Sequence, residues 1–431
     1  MLNLSYFNRG TLNFMNQTHP RFLPHMIFGL AAAFLFFEMA LQVSPSVMVH
    51  DLMRDVHLDA ASLGIMAGVY YYSYTLMQIP AGLLFDRLSS RKLITFSLLF
   101  CAGGAAFFGA AQTAYLAALG RFLMGLGSAF AFISVLFVAS EWFPAKHFAL
   151  LAGVAQFLAA VGAMGGEGPL AAAVSSLGWR ATLWWMAAIG ASIALIAWIV
   201  IRDHPHKTVP MNKIITMVMS NLRQVFGNRQ TWVVALYSFA VWAPITAFAA
   251  LWGVDYLSTY YHVSREVAAN ACAMVWLGIG LGSMWMGWWS DRLGKRRLPL
   301  LLCALLGIVT TSIILYAPGV SLWMMVILLF LFGIASSGQA LSFAVVKENN
   351  PLAVTGTAIG FNNMAVVSGG ALFQPIVGLL LRHHSQGLIV NGAPVYHLID
   401  YRYALVVMPI CYLLGALSLF WVRETNCQNT Y

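Results

Sequence analysis

Gly82-Leu-Leu-Phe-Asp86-Arg87-Leu-Ser-Ser-Arg91-Lys92 closes one long apolar run of this chain. Gly287-Trp-Trp-Ser-Asp291-Arg292-Leu-Gly294-Lys-Arg296-Arg297 closes another, 205 residues further on (Gly82 to Gly287). The same shift carries Met26 onto Thr231, each at the start of an apolar run, and Pro169 has a counterpart in Pro375 at an offset of 206. Unrelated features that share one spacing point to a duplicated unit. Each copy contains six apolar runs, and a bilayer-spanning helix needs about 20 residues. The runs fall near 25–48, 61–83, 93–113, 115–140, 148–176 and 181–201, then near 231–254, 266–287, 298–317, 321–345, 354–381 and 402–422.

The composition agrees with a surface that faces lipid. Of the 431 residues 60% are hydrophobic and 9% charged, whereas a soluble domain carries about 25% charged residues. The net charge of +9 comes from basic residues in short loops, which suits a membrane surface rather than nucleic acid. The five cysteines are scattered without metal-ligand spacing and read as small apolar fillers. The polar start lacks a short apolar core with a cleavage site. No signal peptide is read there, and Met15 is an alternative start. The expected organisation is a segment at 1–24, a six-helix half at 25–201, a linker at 202–230, a second half at 231–422 and a tail at 423–431. Basic residues cluster on the side that holds Arg87, Arg91, Lys92, Arg292, Arg296 and Arg297. The positive-inside rule therefore puts both termini, the linker and the tail in the cytoplasm.

The quoted loops resemble the G-x-x-x-D-R-x-G-x-R-R/K signature of the major facilitator superfamily. The second copy matches throughout, while the first has Ser89 in place of glycine. Arg121-Phe-Leu-Met-Gly125-Leu-Gly127, Glu141-Trp142-Phe143-Pro144 and Gly178-Trp179-Arg180 further resemble its organic-anion symporter branch. The likeness runs from about residue 25 to 422. It implies an all-α membrane protein of 12 transmembrane helices in two pseudo-symmetric halves, working by alternating access. It also implies that Gly82, Asp86, Arg87 and Arg91, and Gly287, Asp291, Arg292, Gly294 and Arg296, form loops that hold one face closed and release as the halves rock. The alternative is that these arginines only enforce topology.

Ionisable groups inside the membrane are costly and are functional hypotheses by default. The placed spans contain Glu38, Glu167 and Arg121. Glu38 is a candidate proton carrier or ammonium ligand, or else the partner of Arg121 in a permanent ion pair. Arg121 suits proton coupling or a substrate carboxylate. Glu167 lies in Gly162-Ala-Met-Gly165-Gly166-Glu167-Gly168-Pro169, where it is a further proton-coupling candidate or faces an outer vestibule. Candidates for the cavity lining are Gln42, Tyr70, Tyr71, Tyr74 and Gln78 in the first half. Trp242, Gln339, Asn362, Asn363 and Gln374 are those of the second. Because the second half offers amides but no central charge, coupling chemistry is expected in the first.

No G-x-x-x-x-G-K-[ST] loop is present, and no nucleophile, base or metal cluster is evident. The expectation is thus a non-enzyme without cofactor or metal: a monomeric, proton-coupled inner-membrane carrier of a small polar solute. That solute is an organic anion such as a carboxylate, or an amino acid or dipeptide, the latter suggested by the likeness of the tyrosine-rich second helix to dipeptide carriers. Gly168-Pro169 keeps open an exporter of drugs or metabolites, and a membrane sensor that retains the fold without moving solute is the other rival.

Overall fold

The computed structural model describes residues 22–85, 88–144, 147–202, 211–390 and 392–430, without the side chains of 83, 148, 149 and 211–218. Among the described residues eleven helices are long and apolar enough to cross a membrane. A twelfth, Ala60–Phe85, is 26 residues long but less apolar, because its middle reads Tyr70-Tyr-Tyr-Ser-Tyr74-Thr. In chain order the first half holds α1 (Leu23–Val47), α2 (Ala60–Phe85), α3 (Ser90–Gly109), α4 (Ala114–Trp142), α5 (Leu150–Leu177) and α6 (Trp179–Val200). The second half holds α7 (Arg229–Tyr261), α8 (Arg265–Leu293), α9 (Arg297–Tyr316), α10 (Leu322–Glu348), α11 (Leu352–His384) and α12 (Leu398–Ser418). Every expected span is present, and a further helix, Met211–Gly227, lies within the expected linker.

Several spans are broken where they pass the centre. α5 divides into Phe148–Gly165 and Gly168–Leu177, with Pro169 in the first turn of the second piece, where its missing N–H has no intrahelical acceptor to lose. α7 carries Pro244 and then a π-helical turn over Phe248–Trp252. Such turns are rare and mark places where backbone geometry departs from the regular ladder. α3, α6, α9 and α12 turn large apolar side chains outward, among them Phe96, Trp185, Leu195, Leu305 and Leu413. That exposure would be a liability in water and is what hydrocarbon requires.

The halves meet along two main seams, α2 against α11 and α5 against α8, while the end of α1 touches the π-helical turn of α7. The α2–α11 approach is close because Gly64 lies against the Gln374 backbone and Gly378 against that of Ala60. Any Cβ there would collide. On the face away from the chain termini, ion pairs join the halves, Asp51–Arg265 at 2.7 Å and Asp59–Arg382 at 3.2 Å, and the His50 imidazole lies 3.5 Å from Asp255. Among the described residues no ion pair joins them on the terminal face.

The terminal face instead carries a clasp within the second half. Glu424 accepts hydrogen bonds from the Arg296 and Arg297 N–H groups at 2.8 and 2.9 Å, at the start of α9. A carboxylate at a helix N-terminus satisfies orphan donors and opposes the positive end of the dipole. Thr425 donates to Glu348 at 2.5 Å. Burial works to raise the pKa of Glu424, but backbone N–H groups of Arg296, Arg297, Asn426 and Thr425 outweigh it and hold the carboxyl below the usual glutamate range. A depressed carboxylate stabilises the fold fully above its unfolded pKa of about 4.3 and loses that contribution as pH falls through the lower folded value. Deleting residues 424–431 should therefore lower stability by about 1–2 kcal/mol, the roughly 1.5–3 kcal/mol of each charge-assisted bond reduced by solvent screening of the partly exposed carboxylate. In detergent melts the difference from the full chain should be constant between about pH 5 and 8 and shrink below about pH 4.

Candidate functional site

At the centre of the first half a buried polar cluster links α1, α2 and α4. Tyr70 donates to Glu38 Oε1 at 2.6 Å, and the Arg121 guanidinium carbon lies 4.5 Å from the Tyr70 ring centroid. Glu38 and Arg121 are 2% and 0% exposed. They form no ion pair with each other, so the alternative of a permanent Glu38–Arg121 bridge is not what the structure contains. Arg121 instead donates through Nη1 to the Leu41 carbonyl at 3.0 Å and through Nη2 to the Gln42 carbonyl at 3.3 Å. These carbonyls lie in the last turn of the regular α-helical part of α1, Leu23–Val43, where Leu41 also accepts from Ser44, so a cation there faces the negative end of the helix dipole. Gly125, one turn along α4, lies against the Tyr70 carbonyl and brings α4 close to α2.

Helical spacing sorts the tyrosines. Positions 70, 74 and 78 share a face, and Tyr70, Tyr74 and Gln78 are all buried, as is Tyr71. Tyr72 is 46% exposed and belongs to the outer surface. Gln42 donates to the Tyr71 hydroxyl at 3.1 Å, and the Tyr71 ring packs on Gly370 of α11, in the other half. Gln374 of α11 donates to the Thr246 carbonyl of α7 at 2.9 Å. Asn363 donates to Gln78 across the halves at 2.6 Å. Asn362, by contrast, is bonded to Ser238 and Ser342 inside its own half, so it binds helices together rather than lining the seam. Gln339 is buried in α10.

A second cluster lies between α5 and α8. Glu167 is fully buried and accepts from Trp276 Nε1 at 2.9 Å. Trp242 of α7 meets the Trp276 ring edge-on at 6.4 Å. Glu167 does not face a vestibule, because the α5–α8 seam covers it. Trp276 and Thr246 were not among the sequence candidates. An indole is ordinarily a filler, and a backbone carbonyl acceptor leaves no mark in a side-chain pattern. Several buried polar atoms have no hydrogen-bond partner among the described residues: Arg121 Nε, Glu167 Oε2, Gln78 Nε2 and Gln374 Oε1. Of these, Gln78 Nε2 and Gln374 Oε1 lie at the α2–α11 contact between the halves and are groups a polar solute could satisfy.

The signature loops are arranged differently from each other. Asp86 and Arg87 lie outside the described residues. Ser89 has φ −51° and caps α3 by accepting from the Lys92 N–H. Gly294, its counterpart, has φ +61° and ends α8 in the left-handed conformation, which glycine adopts at little cost. The serine thus replaces a C-cap with an N-cap. Gly82 and Gly287 have open space around them. Arg91 lies over the Trp198 ring at 4.0 Å and Arg292 over Trp288 at 5.4 Å. Asp291 is bonded to Arg296 at 2.7 Å within its own half. Arg296 is the hub, also donating to Glu348 at 2.6 Å and to Ser290 at 2.9 Å. Arg296→Ala would strand the buried Glu348, and removing one member of a buried pair costs about 3–5 kcal/mol. Asp291→Asn changes an exposed contact, where the expected loss is below about 1 kcal/mol. Denaturation midpoints of the two variants should separate accordingly, with transport impaired but insertion intact in Asp291→Asn.

Two equivalent helical halves that enclose buried, incompletely satisfied polar groups at their contact define a polytopic membrane transporter. Residues 26–256 and again 234–429 match the Major Facilitator Superfamily, and the chain belongs to that family. It is 25% identical over 410 residues to a probable galactarate/D-glucarate transporter of Escherichia coli (strain K12), covering 84% of this chain and 88% of that one. An uncharacterised transporter of Bacillus subtilis (strain 168) is 26% identical over 287 residues, covering 60% of this chain and 63%, just under two thirds, of the relative. In fold the chain is similar to a bacterial homologue of the human lysosomal transporter Spinster, solved inward-facing and unoccupied. The TM-score is 0.75 at 15% identity, covering 94% of this chain and 98% of that one.

Proposed function

We propose that this protein is a monomeric, proton-coupled symporter of a small organic acid. It works in the inner membrane with both termini cytoplasmic, and its halves comprise residues 25–201 and 231–422, joined by 202–230. The observation that carries this reading is the Glu38–Tyr70–Arg121 arrangement, in which acid and base share one aromatic ring without a direct bridge. With Glu38 ionised the cluster is neutral overall. With Glu38 protonated it carries the single positive charge of Arg121, and in a medium of low dielectric that charge strongly favours an anion. Anion and proton are therefore bound together or not at all, which is the requirement for symport. A zwitterion gains less from a site of net positive charge, so the organic anion is preferred over the dipeptide.

The name of the Escherichia coli relative supports a polyhydroxylated dicarboxylate in particular. The unpartnered Gln78 Nε2 and Gln374 Oε1 supply a donor and an acceptor suited to hydroxyl groups. The ion pairs joining the halves on the face away from the termini fit a state closed to the outside. The reading is tested by tracer uptake into proteoliposomes with galactarate, D-glucarate, amino acids and dipeptides. Accumulation of a sugar diacid under an inward proton gradient is expected. Saturable uptake confined to amino acids or dipeptides would overturn the substrate class.

A further inference from the structure

Glu167 occupies the one point where α5 is interrupted. Its φ and ψ of −107° and −85° belong to neither flanking helical piece, and its neighbour Gly166 has no room for a side chain against the α1 backbone. Gly166 lies against Ala40 and Val43 of α1, and Gly168 against Asn270 of α8. The carboxyl is thereby pressed into the contact between the halves and is fully buried. Among the described residues it accepts from Trp276 and lies beside the Cys272 thiol, both of the opposite half, and Oε2 has no hydrogen-bond partner.

No cation forms an ion pair with Glu167 among the described residues. From α8 the titratable neighbour is the Cys272 thiol. Glu38 of α1 is bonded to Tyr70, and Arg121 of α4 is committed to the α1 carbonyls. Arg265 is eleven positions before Trp276 on α8, about 16 Å along the axis, and is paired with Asp51. An ionised carboxylate enclosed in this way would keep one donor and leave an oxygen desolvated, which strongly disfavours the charged form, whereas the neutral acid is tolerated. The donor of Glu38 comes from its own half, so parting of the halves leaves that bond intact. The donor of Glu167 crosses the seam and is lost when the seam opens.

We propose that Glu167 is a second proton-binding site, which takes up a proton from the outer solution when the α5–α8 seam closes and returns it when the seam opens. One O–H bond forms on the Glu167 carboxyl at closure and breaks on opening, so the site makes closure depend on outer pH without changing net stoichiometry. This rests on the proton-coupled reading of the Glu38 cluster, and the two are separable because net coupling resides in Glu38.

The test is the distance across the outer seam, read by double electron–electron resonance. Spin labels are placed on Ser176 and Val267, both exposed at the outer ends of α5 and α8, in the full chain carrying Cys427→Ser. Over the titration of Glu167 the open-to-closed ratio should rise up to tenfold per pH unit (1.36 kcal/mol). In Glu167→Gln, which keeps an acceptor for Trp276, the ratio should be independent of pH and fixed at the value the wild type reaches at low pH, with opening in response to substrate retained. Trp276→Phe, lacking the cross-half donor, should move the midpoint to lower pH.

A pH response in Glu167→Gln equal to that of the wild type would overturn the proposal, as would a wild-type ratio that does not change with pH. His50 and Asp255 also meet across the seam, so His50→Asn is the control. A response that disappears in that variant instead would assign the switch to His50 and overturn the role of Glu167. Substrate-driven proton entry that survives in Glu167→Gln supports the division of roles, and its loss there would contradict it. If the wild type shows no substrate-driven proton entry, the symport reading fails, while the distance measurement still decides the role of Glu167.

Discussion

Glu38→Gln is expected to abolish accumulation while leaving exchange. One proton moving down a gradient of one pH unit supplies about 1.4 kcal/mol, enough for roughly tenfold accumulation of a co-transported solute. The amide preserves an acceptor for Tyr70 and the volume of the site, but it cannot carry a proton. Its charge matches that of the protonated acid, so the cluster keeps its net positive charge and continues to bind the anion. Counterflow between solute on both sides should therefore persist at a rate within an order of magnitude of wild type. The ratio of internal to external solute should fall to about 1 at any imposed pH gradient. Tracer accumulation and counterflow in the same proteoliposomes separate the two effects.

The second large effect is expected at Arg121. Arg121→Leu removes the positive charge and takes the guanidinium donor from the Gln42 carbonyl, while Leu41 keeps its bonds from Ser44. A buried polar group so stranded costs about 1–3 kcal/mol. Binding of the anion loses its counter-charge as well, and uptake should drop by at least about a hundredfold, a change near 2.8 kcal/mol. Arg121→Lys retains the charge but offers no planar fork to reach two carbonyls at once while stacking on Tyr70. It should recover much of the stability and little of the transport. A lysine variant with wild-type uptake would mean that Arg121 acts only as a point charge. Thermal denaturation in detergent alongside uptake distinguishes the structural part of the loss from the functional part.

The difference between what the chain's pattern tells and what packing decides is clear at these residues. Spans are legible because lipid imposes a length of about 20 apolar residues on every helix, and all twelve expected spans are present. The repeated loop is legible because duplication preserves spacing. The interruptions of α5 and α7 are less so, since they reflect where neighbouring helices approach. Gly166 against Ala40 is a contact between distant segments, not a local preference. Glu38 and Arg121 stand out as charges among apolar residues, but their partners do not. Arg121 satisfies backbone carbonyls, and a backbone acceptor has no residue type to recognise.

The same limit explains Asn362 and Asn363. They are adjacent amides, and helical rotation of about 100° per residue turns one inward to Ser238 and the other across the seam to Gln78. The clasp of Glu348, Glu424 and Thr425 around Arg296 had a signal that went unused: acidic residues beside the basic loop of the second copy. Attention to charges inside spans passes over acids that sit at their ends.

The central claim is that one proton enters with the organic anion through Glu38. Its most direct test is the pH inside proteoliposomes loaded with pyranine, followed after galactarate or D-glucarate is added outside, with no pH gradient imposed. The account predicts acidification of the lumen in the wild type that is absent in Glu38→Gln although exchange is retained. Uptake of the diacid without acidification in the wild type, or acidification undiminished in Glu38→Gln, would contradict it.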